Sequence, residues 1–150
     1  MENDFIVAFD KSVLTIARSI AVPVERFALF IVFFWFGFLK LIDASPANPL
    51  VGDLLRHTIP FWSLESFMVF LGLWEMLIGV AFLVGGWERL AIALLIPHMI
   101  TTVLPFLFLP DVVWHGFFVP TLEGQYIIKN SVIVALALGF AARLQPLRRR

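Results

Sequence analysis

An all-α integral membrane protein, built as a bundle of four membrane-spanning helices, is predicted by three features of this sequence. Apolar residues make up 61% of its 150 positions, and the mean hydropathy of +0.95 lies far above that of a soluble domain. So short a chain keeps much of its surface exposed, so lipid is the solvent that suits such a composition. Four apolar stretches approach the roughly 20 residues that a helix needs to cross a bilayer. The lysines and arginines, finally, fall unevenly between the connections.

Residues 1–21 come first. They lack the basic start, compact apolar core and small-residue cleavage site of a removable signal peptide. At 3.6 residues per turn, Phe5, Ile6, Phe9, Val13, Ile16 and Ile20 share one face, with Asp4, Lys11 and Arg18 opposite. This predicts an N-terminal amphipathic helix lying in the membrane interface; a frayed extension is the plainer alternative. The spans follow at about 22–42, 64–85, 89–109 and 126–142, and residues 143–150 form a basic tail. Gly85-Gly86 predicts a tight turn between the second and third spans. The other connections are longer, with turn chemistry at Ser45-Pro46-Ala47-Asn48-Pro49 and from Pro110 to Gln125.

Charge placement predicts orientation. Lys11, Arg18, Arg26, Arg89, Arg143 and Arg148–Arg150 fall on the side of the termini and the Gly85-Gly86 turn. Only Lys40, Arg56 and Lys129 fall on the other side, beside Asp43, Asp53, Glu65, Asp111 and Glu123. Eight basic residues against three predict both termini in the cytoplasm and a multi-pass location in the inner (plasma) membrane.

Composition also excludes chemistries. Without cysteine there are no disulfides, thiolate nucleophiles, iron–sulfur clusters or cysteine-held zinc. Three histidines, His57, His98 and His115, supply metal chemistry poorly, and no metal site is expected. Only His98 lies within a span, which disfavours a b-type haem. A net charge of zero gives no reason to expect nucleic acid.

An ionisable side chain at the bilayer centre costs about 2.5–3.5 kcal/mol even on the lenient insertion scale, so each one retained needs a partner or a job. At ~1.5 Å per residue, Glu75 lies roughly 15 Å from the start of the second span and His98 roughly 14 Å from the start of the third. Both depths are near the midplane of a core about 30 Å thick, on helices joined by a tight turn. Glu75 and His98 are therefore expected to face each other inside the bundle as an acid–base pair. Around them, Glu65, Gly72, Glu75, Gly79 and Gly86 follow one face of the second span, and Arg26, Phe33, Gly37 and Lys40 one face of the first. The small residues would let neighbouring helices approach closely. His98 shares its face with Thr101, Thr102 and Pro105, and Pro97 leaves the Ala93 carbonyl without its usual amide donor. Nearer the outer surface stand Lys40, Asp43, Glu65, Lys129 and Asn130; snorkelling lysines are the plain alternative there. Trp62, Trp87 and Trp114 read as interface anchors, while Trp35 and Trp74 line a pocket or simply pack.

The strings FFWFGFLKL at Phe33–Leu41, SPANPLV at Ser45–Val51, LGLWEMLIG at Leu71–Gly79, HMITTVLP at His98–Pro105 and PTLEGQYIIKN at Pro120–Asn130 resemble the DoxX-like membrane proteins over roughly residues 24–142. The resemblance implies a four-helix membrane bundle and marks Lys40, Glu75, Thr101, Tyr126, Lys129 and Asn130 as family positions. It implies a link to thiosulfate:quinone oxidoreductase, oxidative-stress tolerance or membrane assembly. Lacking cysteine and a separate soluble domain, this polypeptide is not expected to oxidise thiosulfate by itself.

The expectation is a membrane component of a redox or stress-response system, at most a subunit of a quinone-linked oxidoreductase. It binds a quinone-like lipophilic ligand through Glu75 and His98, with Lys40, Trp74, Thr101, Thr102, Tyr126, Lys129 and Asn130 as ligand-binding residues. Its expected partners are the lipid bilayer, a soluble or membrane redox protein, and further copies of itself. The competing class is a non-enzymatic membrane scaffold or assembly partner. A small transporter has little support from four helices without an inverted repeat.

Overall fold

The computed structural model describes residues 2–146, with side chains from residue 5 onward. Arg148–Arg150 of the basic tail thus lie outside the described residues. The chain is mostly helical, and four of its helical segments are long and apolar enough to cross a membrane: Phe5–Leu41, Leu64–Leu83, Glu88–Phe108 and Leu122–Arg143.

The first differs from the sequence expectation. The boundary expected at residues 21 and 22 falls inside α1, which runs unbroken from Glu2 to Phe30. Its polar side chains do not compete with the helix. Ser12, Thr15 and Ser19 donate back to the carbonyls of Ala8, Lys11 and Ile16 at 2.9, 2.7 and 2.7 Å. Pro23 removes one amide donor without ending the helix. A π-helical segment, Ile31–Trp35, then joins α1 to α2 (Phe36–Leu41). Such a segment widens the helix by about one residue and offsets everything after it. Phe30 and Phe34 stack at its start, their centroids 5.0 Å apart.

The connection from residue 43 to residue 63, expected as a loop, contains α3 (Asn48–Thr58), with Pro49 in its first turn, where the missing amide costs nothing. Ser63 caps α4 (Leu64–Leu83), accepting from the Ser66 amide at 3.3 Å. The expected tight turn follows, with Gly86 at φ +91°, a left-handed conformation that suits glycine. α5 (Glu88–Val103) stops where Pro105 disfavours further α-helix, and two single turns continue, α6 (Pro105–Phe108) and α7 (Pro110–Val113). A two-stranded antiparallel hairpin, β1 (Trp114–Gly116) and β2 (Val119–Pro120), is the exception to the all-α expectation. α8 (Leu122–Arg143) begins four residues before the expected position 126. Thr121 accounts for this: its hydroxyl accepts from the Gly124 amide at 3.1 Å and donates to the Val112 carbonyl at 2.8 Å, fixing cap and loop together.

Leu29, Phe33, Ile78, Ala81, Phe82, Ala91, Leu95, Ala137 and Phe140 form the core, drawn from all four long segments. Glycines set the closest approach. A Cβ added at Gly37 would lie 2.6 Å from the Gly72 carbonyl oxygen, and one at Gly72 would lie 2.7 Å from the Gly37 oxygen. Seven residues further along α4, and three to seven residues back along the first segment, a Cβ at Gly79 would meet the Phe34 nitrogen at 2.8 Å and the Phe30 oxygen at 3.0 Å. The first segment and α4 therefore run antiparallel, backbone against backbone. On the outside, large apolar side chains such as Phe27, Trp35, Leu73, Ile96, Ile100 and Leu138 stand exposed.

Candidate functional site

The antiparallel glycine contact decides where the charged side chains meet. Lys40 lies three residues beyond Gly37, and Glu75 three residues beyond Gly72, so the two depart from the contact in opposite directions. In a helix each Cα–Cβ bond tilts toward the N-terminus. Lys40 therefore leans back along α2 and Glu75 back along α4, toward each other. Lys40 Nζ donates to Glu75 Oε2 at 2.6 Å and lies 3.4 Å from the Phe36 carbonyl oxygen. The other carboxylate oxygen, Oε1, faces His98 Nε2 at 3.5 Å. Each of the three residues is 7% exposed, so one carboxylate inside the protein is shared between a lysine and a histidine from two other helices.

The Phe33 ring packs edge-on against His98, with centroids 5.6 Å apart and planes at 76°. Phe33 belongs to the π-helical segment, which thus forms one wall of the site. Trp74, half-buried beside Glu75 in sequence, donates from its indole to the Leu94 carbonyl at 3.1 Å, one residue after the carbonyl that Pro97 deprives of an amide. It ties α4 to α5 just below His98.

Glu75 and His98, expected to face each other, do so. Lys40, expected in an outer polar layer, belongs with them: its ammonium points into the protein rather than toward the loops. The remaining expected ligand-binding residues are not gathered there. Thr101 and Thr102 donate to the His98 and Met99 carbonyls of their own helix, both at 2.8 Å. Tyr126 and Lys129 are exposed on α8, where the ammonium sits 5.4 Å from the ring centroid, and Asn130 is half-buried on the same helix. Glu65 is exposed at the start of α4.

Sequence reasoning missed a second charged cluster at the Gly85-Gly86 end. Arg26 donates to the Phe82 and Val84 carbonyls at 3.0 and 3.3 Å, adding a donor at the C-terminal end of α4, and also pairs with Glu88. Arg143 grips Glu25 through two hydrogen bonds of 2.6 and 2.9 Å. Both guanidinium groups lie over the Phe140 ring, at 5.5 and 5.7 Å. The ends of α4, α5 and α8 meet the middle of the first long segment here. Adjacent opposite charges at Glu25-Arg26, with Glu88 opening α5 and Arg143 closing α8, were the available signal.

Comparison with protein-family models, with curated protein sequences and with solved structures finds no match to this chain.

Proposed function

We propose that this chain is a multi-pass protein of the inner membrane, with both termini cytoplasmic, serving as the membrane component of a redox or stress-response system of the DoxX-like kind. In this reading Lys40, Glu75 and His98 receive the polar head of a quinone-like lipophilic ligand. The observation that carries it is the shared carboxylate: Glu75 lies 2.6 Å from Lys40 Nζ and 3.5 Å from His98 Nε2, and all three are buried. Burying three ionisable groups together is costly, and a helix contact already secured by Gly37, Gly72 and Gly79 does not require it. The donor set suits such a head group. Lys40 and His98 offer N–H donors for a carbonyl oxygen, and Glu75 offers an acceptor for a hydroxyl. Carboxylate and imidazole together can hand a proton along. When bound, a quinone would supply the two-electron redox chemistry that no side chain here provides.

Mass spectrometry of lipids extracted from the purified protein tests this reading. A co-purified quinone, lost in Glu75→Gln while the protein stays folded, supports it; an empty protein with an intact site rejects it. Reporter fusions after Arg150 should read cytoplasmic, and those within residues 43–63 or 111–125 external.

One observation favours a second reading, a scaffold without catalysis. The Lys40–Glu75–His98 contacts join three of the four long segments, as a packing device would. Glu75→Gln keeps the shape of the side chain and much of its hydrogen bonding but cannot cycle a proton. A scaffold would keep its partner and its cellular phenotype in that variant.

A further inference from the structure

The N-terminal part of α1 reaches beyond the other three long segments. Glu25 and Arg26 are held at the level where those segments end, by the Phe82 and Val84 carbonyls, Glu88 and Arg143. The helix nevertheless continues to Glu2, roughly 35 Å further at ~1.5 Å per residue. Every residue from Phe5 to Ile20 is exposed, including Ile6, Phe9, Val13, Ile16 and Ile20 at 58, 63, 46, 59 and 50%. An apolar stripe on a projecting helix needs something to cover it.

These five residues are spaced 3, 4, 3 and 4 apart. That is the a/d pattern of a coiled-coil seam, with Ile6, Val13 and Ile20 at a and Phe9 and Ile16 at d. β-Branched residues occupy all three a positions, as parallel assemblies favour. Lys11 and Arg18 fall at f, directly opposite the seam. The flanking e and g positions carry Asp10 as their one charge among Phe5, Ser12, Ala17 and Ser19, so two identical helices in register bring no like charges together. The hydroxyls of Ser12 and Ser19 are bonded to their own backbone, so these two flanking side chains are small and do not seek other partners. A membrane-surface helix, by contrast, is rich in lysine and arginine on its polar face. Residues 2–20 hold Glu2, Asp4 and Asp10 against Lys11 and Arg18, a net charge of 2 − 3 = −1.

We infer that residues 5–20 form a parallel coiled coil with the same segment of a second copy of this chain. This rests on the membrane reading above, because insertion with one topology aligns the two helices in parallel. Holding both in one membrane also raises their effective concentration, which a seam of little more than two heptads requires.

The absence of cysteine makes single introduced cysteines unambiguous reporters. Val13→Cys, Ile16→Cys, Lys11→Cys and Arg18→Cys should be oxidised in native membranes after an alkaline carbonate wash. At least tenfold more disulfide-linked dimer is expected at positions 13 and 16 than at 11 and 18, abolished when Phe9→Asp is added. Carbonate-resistant protein that cross-links equally at all four positions, or at none, would overturn the coiled coil. So would quenching of a fluorophore at position 16 by brominated phospholipid, which would assign the stripe to the membrane surface. Release by carbonate would instead overturn the membrane reading, and this inference with it.

Discussion

The two charged clusters use the same chemistry under opposite conditions. At the Gly85-Gly86 end, Arg26, Glu88, Glu25 and Arg143 lie near the surface, with 46% of the Arg143 side chain exposed, and bind helix ends as well as each other. In the interior, Lys40 and Glu75 keep 6 and 9% of their side chains exposed and have few partners beyond their own cluster. Charges at a rim keep part of their hydration and lose little when a partner goes. A buried pair has surrendered its hydration and depends on its partner. Similar distances therefore carry different consequences, and the interior cluster is the one whose retention calls for a function.

The largest expected effect breaks the interior pair. Glu75→Ala leaves Lys40 buried without a counter-charge and should cost about 3–5 kcal/mol, read as a lowered unfolding midpoint in detergent. Replacing both partners, Lys40→Met with Glu75→Met, should recover most of that loss, since apolar residues of similar volume often replace a buried pair without penalty. If the double variant is stable yet fails in the cell, the cluster serves function rather than folding. If the single variant is as stable as the wild type, the contrast between interior and rim collapses.

Next in size is the glycine contact that aims the interior pair. Gly72→Ala places a methyl against the Gly37 carbonyl and the Lys40 side chain, so the helices must separate, at about 1–3 kcal/mol. Gly139→Ala is the control: an added Cβ there meets nothing within 4 Å, and alanine favours the helix. Equal midpoints for the two variants would show that the backbones are not in contact.

Much of this was legible in the sequence, and the gaps have physical causes. Spans two and three lay near their expected bounds because apolar runs end at Gly85-Gly86 and at Pro110-Asp111, which are local signals. The facing of Glu75 and His98 followed from their common depth on helices joined by the Gly85-Gly86 turn. Lys40 was misplaced because position along a helix does not give the direction of a long side chain; Cβ tilt and an antiparallel neighbour do, and the neighbour's register is tertiary information. The π-helical segment and the Glu25–Arg143 contact, spanning 118 residues of sequence, depend on tertiary packing in the same way. α3 went unread because prolines and an asparagine look like a turn, although Pro49 is equally at home in a first helical turn. α8 began early because Thr121 was not read as a cap.

The smallest expected effects lie at the rim and among the outlying lysines. Lys129→Gln removes a charge that lies over an exposed tyrosine ring and should alter the midpoint no more than Arg56→Gln, whose guanidinium, largely exposed, pairs with Asp53 within α3. Lys40→Gln should exceed both clearly. Salt then separates the clusters without mutation. Surface ion pairs are screened once the Debye length falls to about 3 Å at 1 M salt, and buried pairs much less so. Raising salt from 0.1 to 1 M should therefore erase the small difference between wild type and Glu25→Gln, because the Glu25–Arg143 pair faces solvent. The large difference between wild type and Glu75→Ala should persist, since ions do not reach a carboxylate enclosed by Lys40, His98 and the helices that carry them. A salt-sensitive Glu75 effect would mean that water and ions, and not only a lipophilic ligand, reach the interior cluster.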